Sequence, residues 1–172
     1  VGVVLLVADQ IIKAWVRGTF QRPEESHVII RNVLDLTLVY NKGIAFGMFQ
    51  GAGVLLAPIA IIIAVAAGYY SMKHRDESSW IHTAMALLAS GALGNLIDRV
   101  FVHKVTDMFQ IRAFEFPAFN LADSCITIAA VILVLRWGYE WIAGDGHDKP
   151  ITVAPVEEDP PLPMKPNETP IP

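Results

Sequence analysis

Residues 91–128 read GALGNLIDRVFVHKVTDMFQIRAFEFPAFNLADSCITI. The run begins inside one apolar segment, crosses a short polar connection and continues into a second apolar segment. On the way it carries Asn95, Asp98, Arg99, Asp107, Asn120 and Asp123 into or beside surroundings that otherwise read as hydrocarbon. Ionisable groups in or next to a membrane segment are costly unless paired or hydrated, so they point to function. Asn95, Asp98 and Arg99 stand at i, i+3 and i+4 near the end of the first apolar segment, and Asn120 and Asp123 at i, i+3 on the first turn of the second. If these segments are antiparallel neighbours, both polar clusters lie at one membrane surface. Asp107 sits in the alternating run Val105–Phe109, which is able to bring a carboxylate back over them.

Two close carboxylates do not both ionise easily: one pKa rises and the pair shares a proton. One member can then act as general base on a water while the other donates to a carbonyl oxygen, which is aspartic-protease chemistry. Spacing alone leaves a structural reading open. There, Asp98 and Arg99 form an ion pair, Asp123 is a helix-start carboxylate favoured by the helix dipole, and Asp107 is a loop acid. Other chemistries have weaker support. Cys125, the only cysteine, lies well around the helix from Asp123 without an obvious His partner, so it reads as a buried structural residue. The five histidines show no metal-ligand spacing, and His103 and Asp107, four apart in a connection, make a poor metal site. We expect neither metal nor cofactor.

Outward from this stretch the chain is a membrane protein. It is 53% hydrophobic and only 17% charged, where a soluble domain has about 25% charged residues. Val54–Met72, Trp80–Ile97 and Asn120–Trp141 read as spans, with Pro58 tolerated near the first turn of its helix. Ala89, Gly91, Ala92 and Gly94 suit close helix packing. Tyr69, Tyr70, Trp80, Trp137, Tyr139 and Trp141 mark one membrane face as an aromatic belt. The opening residues 1–16 are read as another membrane helix whose beginning lies upstream, not as a signal peptide, because Asp9 and Lys13 interrupt the run. Those two are at i, i+4 and share a face, as a structural pair or as part of the site. The expected fold is therefore mainly α, with four transmembrane helices and a small extracytoplasmic β-sheet and loop region.

The connections complete this picture. Residues 17–53 are too polar and too long for a tight turn. The period of two over His27–Tyr40 suggests strands, and Asn41-Lys42-Gly43 offers turn chemistry. Ile44–Phe49 is expected to touch lipid or substrate beside this sheet. Residues 1–142 hold 11 Lys+Arg and 11 Asp+Glu, so the tail, residues 143–172, carries the whole net charge of −4 and eight of the eleven prolines. It is expected to be a disordered cytoplasmic tail; its Asn167-Glu168-Thr169 sequon is read as chance. No basic face points to nucleic acid. Charge counting favours the opposite orientation to the one adopted below: residues 17–53 and 99–119 carry seven Lys/Arg against Lys73 and Arg75 in the loop at 73–79.

Five ordered motifs, DQIIKAWV (9–16), YNKGIAFGMF (40–49), GALGNLIDRV (91–100), VTDMF (105–109) and FNLADS (119–124), resemble those of the bacterial lipoprotein signal peptidases, signal peptidase II. The resemblance covers nearly all of residues 1–141. It implies an aspartic endopeptidase of the bacterial inner membrane that cuts prolipoproteins just before a diacylglyceryl-modified cysteine. It implies Asp107 and Asp123 as the catalytic dyad, and Asn41, Asn95, Arg99, Asn120 and Asp9 as polar positions that shape or line the site. Lys13 and Asp98 match motif positions with a more structural role. It also implies a site facing outward and both termini in the cytoplasm. A monomer acting on membrane-held substrate among lipids is expected. The competing class is a proton-coupled transporter or channel subunit, since intramembrane Asp and Arg also mark ion pathways; such a protein would place its carboxylate near mid-membrane.

Overall fold

The computed structural model describes residues 1–23, 25–43, 53–114 and 116–143. Ile44–Phe49 and the tail beyond Ala143, both singled out above, lie outside the described residues. In chain order the elements are α1 (Gly2–Thr19), β1 (Ser26–Ile30), β2 (Leu34–Asn41), α2 (Gly53–Lys73), α3 (Ser79–Phe101), β3 (Val105–Ile111) and α4 (Leu121–Ala143).

The helices α2, α3 and α4 supply stretches long and apolar enough to cross a membrane. Their outward faces stay apolar, with Ile59, Ile61, Ile62 and Val65 on α2 and Val131, Val134 and Leu135 on α4 all exposed. That is the surface a lipid-facing helix needs, because helices satisfy their own backbone and leave only side chains to meet hydrocarbon. α3 is the central helix, packed on α2, α4 and α1. Its small residues set the approach. A Cβ on Gly91 would stand 2.5 Å from the Ala122 carbonyl oxygen, and one on Gly94 would stand 2.7 Å from Asp9 Oδ2. The core between α2, α3 and α4 is Ala67, Ile81, Ala84, Met85, Leu87, Cys125 and Ala129. Cys125 is thus a buried free thiol in apolar packing.

Three helices, not four, meet the length and composition of a span among the described residues. α1 falls short because its 18 residues include Asp9, Lys13 and Arg17. Asp9 and Lys13 turn inward and are buried, while Val3, Val4, Val7, Ile11 and Trp15 form the exposed stripe. The helix is amphipathic with its polar face toward protein.

The sheet is three antiparallel strands in the order β1-β2-β3. The period of two does yield strands, but the β1–β2 turn is Arg31-Asn32-Val33, with Asn32 at φ 62° and Val33 N–H donating to the Ile30 carbonyl. Asn tolerates the left-handed region this turn requires. Asn41-Lys42-Gly43 does carry turn chemistry, placed at the end of β2: Gly43 N–H donates to Asn41 Oδ1 at 2.9 Å, an Asx turn. Leu38 and Met108 pack with Val16 and Phe20, seating the sheet on the C-terminal end of α1. Asp35 on β2 is buried but paired with Arg112 at 2.7 Å.

The sheet and the polar end of α3 form one end of the molecule. At the other end, where α2 and α4 finish and α3 begins, Tyr69, Trp80, Trp137, Tyr139 and Trp141 are exposed and Tyr70 is half-buried. An aromatic cluster of this kind suits the headgroup level of a bilayer.

Candidate active site

The start of α4 is built by its own first residues. Asn120 Oδ1 accepts from the Asp123 backbone N–H at 2.9 Å, and Asp123 Oδ2 accepts from the Asn120 N–H at 3.2 Å. This is a reciprocal capping box made with Asn and Asp. It satisfies two helix-end donors and fixes the Asp123 carboxylate at the helix N-terminus, where the dipole favours negative charge.

Asp107 reaches this point from β3. Residues 105–108 are all buried, and β3 is held between β2 and Phe119, whose N–H and carbonyl both bond to Phe109. The side chain of Asn120 spans the two acids: its Nδ2 donates to Asp107 Oδ1 at 2.7 Å while its Oδ1 caps Asp123. Asn95, on α3, donates from Nδ2 to Asp123 Oδ1 at 2.7 Å. Asn41 also hydrogen-bonds Asp107. The Asp107 carboxyl is raised to about 7, first by burial and then by the charge of Asp123, with the hydrogen bonds from Asn120 and Asn41 and the charge of Lys13 opposing the shift.

Below the pair lies a buried ionic network. Lys13 Nζ is 2.9 Å from Asp9 Oδ2, 3.0 Å from Asn95 Oδ1 and 3.7 Å from Asp98 Oδ2. Asp9 Oδ1 accepts from the Ala122 N–H at 3.0 Å, tying α1 to the first turn of α4. Asp98 does not pair with Arg99, as the structural reading supposed. Its partners are Arg17 at 3.1 Å and the Thr106 N–H at 2.8 Å, so it anchors the start of β3. Arg99 faces the other way, bonding the Asn95 carbonyl at 3.3 Å and lining the cavity.

Sequence reading missed Arg17, Thr106 and Gln10. Arg17 Nη1 bridges Asp98 and Thr106 Oγ1, and Gln10 Nε2 bridges Asp9 and the Gly94 carbonyl. Arg17 was detectable: it lies four residues beyond Lys13 and eight beyond Asp9, on the same helical stripe.

A cavity of about 700 Å³ opens on the pair. Asn41, Asn95, Arg99, Asp107 and Asp123 line its polar end, and Leu56, Ile59, Ala60 and Ile63 of α2 with Ala92, Ile126 and Ile128 line the rest. Two carboxylates bridged by one amide at the polar end of an apolar cleft can hold and polarise a water against an extended chain. The acids stand where α3 ends and α4 begins, not midway along the spans.

A profile of the family described as Signal peptidase (SPase) II matches residues 1–138. The lipoprotein signal peptidase of Streptococcus pneumoniae is 36% identical over 145 residues, 83% of this chain and 94% of its own length. That of Clostridium acetobutylicum is 33% identical over 133 residues, 76% of this chain and 86% of its own. Two solved bacterial membrane enzymes share the fold, one with a TM-score of 0.77 at 30% identity, covering 86% of this chain and 90% of that one. The second has a TM-score of 0.72 at 32% identity, covering 79% and 88%. Sequence and fold agree over the whole body that carries the two aspartates, and the chain belongs to the signal peptidase II family.

Proposed function

We propose that this peptidase is an aspartic endopeptidase that removes the signal peptide from prolipoproteins, cutting just before a diacylglyceryl-modified cysteine, with Asp107 and Asp123 as its catalytic dyad. The observation that carries this reading is the single amide of Asn120, which bridges two carboxylates at the polar end of an apolar cleft. A lipidated precursor has matching parts: an apolar signal helix and acyl chains for the α2, α3 and α4 walls, and one peptide bond to be presented to the acids. The dyad holds one proton. Its ionised member takes a proton from a water, which attacks the scissile carbonyl, and the protonated member donates to the developing oxyanion; the proton then passes to the leaving nitrogen. Arg99, at the cleft wall, is a donor for a substrate carbonyl. Burial of the acids makes these transfers effective because little bulk water competes.

In this reading α1 is a fourth span. The sheet and the site face outward from the bacterial inner membrane, and both termini are cytoplasmic. The protein acts as a monomer on substrate held in the lipid.

The test is cleavage of a lipidated prolipoprotein peptide by the purified protein and by Asp107→Asn, Asp123→Asn and the double variant. Each single substitution should lower turnover by about a thousandfold or more while substrate binding survives. The double should be scarcely worse, because the two act as one unit. A folded Asp107→Asn protein that kept a third of its turnover would remove Asp107 from the mechanism.

A further inference from the structure

Of the two acids, Asp123 is carried by a helix and Asp107 by a strand that is irregular on both sides of it. Before it, His103 in the turn from α3 has φ at 61°. Beyond it, the pairing with β2 shifts: Val39 faces Asp107 but Leu36 faces Phe109, so β2 carries an extra residue there. A bulge interrupts the ladder locally, and Asp107 is held less firmly by pairing than a residue in a regular ladder. The strand is held here by a ring of hydrogen bonds on the preceding residue, Thr106. Arg17, from the last turn of α1, donates from Nη1 to Thr106 Oγ1 at 2.9 Å and to Asp98 Oδ1 at 3.1 Å. Asp98 Oδ2 closes the ring by accepting from the Thr106 N–H at 2.8 Å. Thr106 and Asp98 are wholly buried, and bonds to ionised groups are the strong ones. Successive strand residues point to opposite faces. Thr106 and Met108 turn toward α1, where Met108 packs on Val16 and Phe20, while Val105 and Asp107 turn into the cleft. Holding Thr106 on one face therefore sets how far Asp107 reaches from the other. Neither Arg17 nor Thr106 is among the described residues that line the cleft.

We propose that Arg17 is a positioning residue for Asp107: by clamping Thr106 to Asp98, it sets the backbone of β3 so that the Asp107 carboxyl meets the Asn120 amide that bridges it to Asp123. This rests on the dyad reading above and extends it to a residue of α1. Asn120 and Asn41 orient the Asp107 side chain from the cleft side. The clamp acts on the main chain from the α1 side. One nitrogen of Arg17 makes both bonds, so loss of the guanidinium frees the Thr106 hydroxyl and one oxygen of Asp98 together. Asp98 still has Lys13 at 3.7 Å and the Thr106 N–H. The end of α3 thus stays ion-paired, and the displacement falls on β3.

In the peptide-cleavage assay, kcat per folded, peptide-binding molecule of Arg17→Met should fall about tenfold with KM nearly unchanged, because a displaced reacting group loses rate steeply while the cleft walls are untouched. Thr106 supplies a second arm that leaves the Arg17–Asp98 pair in place and decides alone where Arg17→Met folds poorly. Thr106→Val keeps the buried shape and the β-branching but lacks the hydroxyl; Thr106→Ser keeps the hydroxyl but gives up a buried methyl group. Positioning predicts that the serine variant keeps most of kcat although it melts at the lower temperature. The valine variant should lose about fivefold in kcat although it melts at the higher one. Arg17→Met/Thr106→Val should be no slower than Arg17→Met, because both substitutions remove one contact. Turnover that follows melting temperature, with the valine variant faster than the serine one, would make the clamp purely structural and overturn the proposal. Multiplying losses in the double variant, or a folded Arg17→Met protein with the kcat of wild type, would overturn it too. If Asp107→Asn and Asp123→Asn both cleave, the dyad reading itself falls, and the positioning role with it. If those two are inactive while the Arg17 and Thr106 variants keep full kcat, the role of Arg17 falls alone.

Discussion

Burying Asp107 on β3 beside Asp123 lifts its carboxyl from 3.8 to about 7, and this has an effect on stability as well as on catalysis. Below pH 3.8 both folded and unfolded chains hold the proton and nothing is lost. As pH rises from there toward 7 the unfolded chain releases its proton first, so native stability falls. Above 7 the penalty is complete, at most about 4 kcal/mol for a carboxyl held near 7 in place of 3.8. Asp107→Asn should therefore raise the melting temperature at pH 8 and leave it nearly unchanged at pH 4, while abolishing turnover. In wild type, turnover should decline as pH passes about 7, when the dyad loses its shared proton. Melting curves of the two proteins at both pH values check the first point, and a cleavage profile checks the second; equal stabilisation at pH 4 and pH 8 would contradict the buried-acid account. Most of the candidate residues were legible as residues because carboxylates and amides in apolar sequence are conspicuous. Their pairing was not. Asp98 and Arg99 are adjacent in sequence, but adjacent helical positions do not face each other. Asp98 consequently finds Arg17, a residue that sequence order had assigned to a loop.

At the scale of elements, α3 works as a spacer whose thinness sets where Asp123 sits. Gly91 lets the backbone of α4 approach so closely that any Cβ would meet the Ala122 carbonyl oxygen at 2.5 Å and Ile126 Cγ1 at 2.7 Å. The first neighbour is backbone and cannot rotate away, so Gly91→Ala must displace the start of α4, which carries both Asn120 and Asp123. Overpacking of this kind costs about 1–3 kcal/mol, and we expect a comparable loss of thermal stability together with at least a tenfold fall in kcat. Misplaced catalytic groups lose rate steeply. A variant as stable and active as wild type would show that α3 and α4 are not in close register. The run of small residues made this contact foreseeable in kind, since small residues serve helix approach. The sheet was less legible. Alternation over His27–Tyr40 announced strands, but the turn lay at Asn32 because the chain needed a left-handed residue there, and a register shift between Leu36 and Val39 breaks the period. A bulge is invisible to a period-two count.

On the scale of the whole molecule, the fourth span proposed for α1 requires a bilayer to accept a helix with three charges. α1 resolves this by pairing. Lys13 lies between Asp9 and Asp98, Arg17 caps the same Asp98, and Asp9 also receives the first-turn N–H of Ala122. Ionisable groups that are paired and face the bundle interior are the kind that membranes tolerate. What α1 shows outward is Val3, Val4, Val7, Ile11 and Trp15, a lipid-compatible stripe. Composition sums the charges and rejects the helix; the fold cancels them before lipid is met. If α1 spans, the sheet follows it on one side of the membrane, and the turn between α2 and α3 lies on the other, at the aromatic end. This gives a test by cysteine labelling in intact cells, with the native thiol removed as Cys125→Ala. Ile30→Cys, exposed on β1, should react with a membrane-impermeant maleimide added outside. Asp76→Cys, exposed in the turn between α2 and α3, should react only after the membrane is opened. Equal labelling of both from one side would break the topology and with it the outward-facing site. The reverse result, position 76 outside and position 30 inside, would mean that the excess of Lys and Arg in residues 17–53 and 99–119 sets the orientation after all.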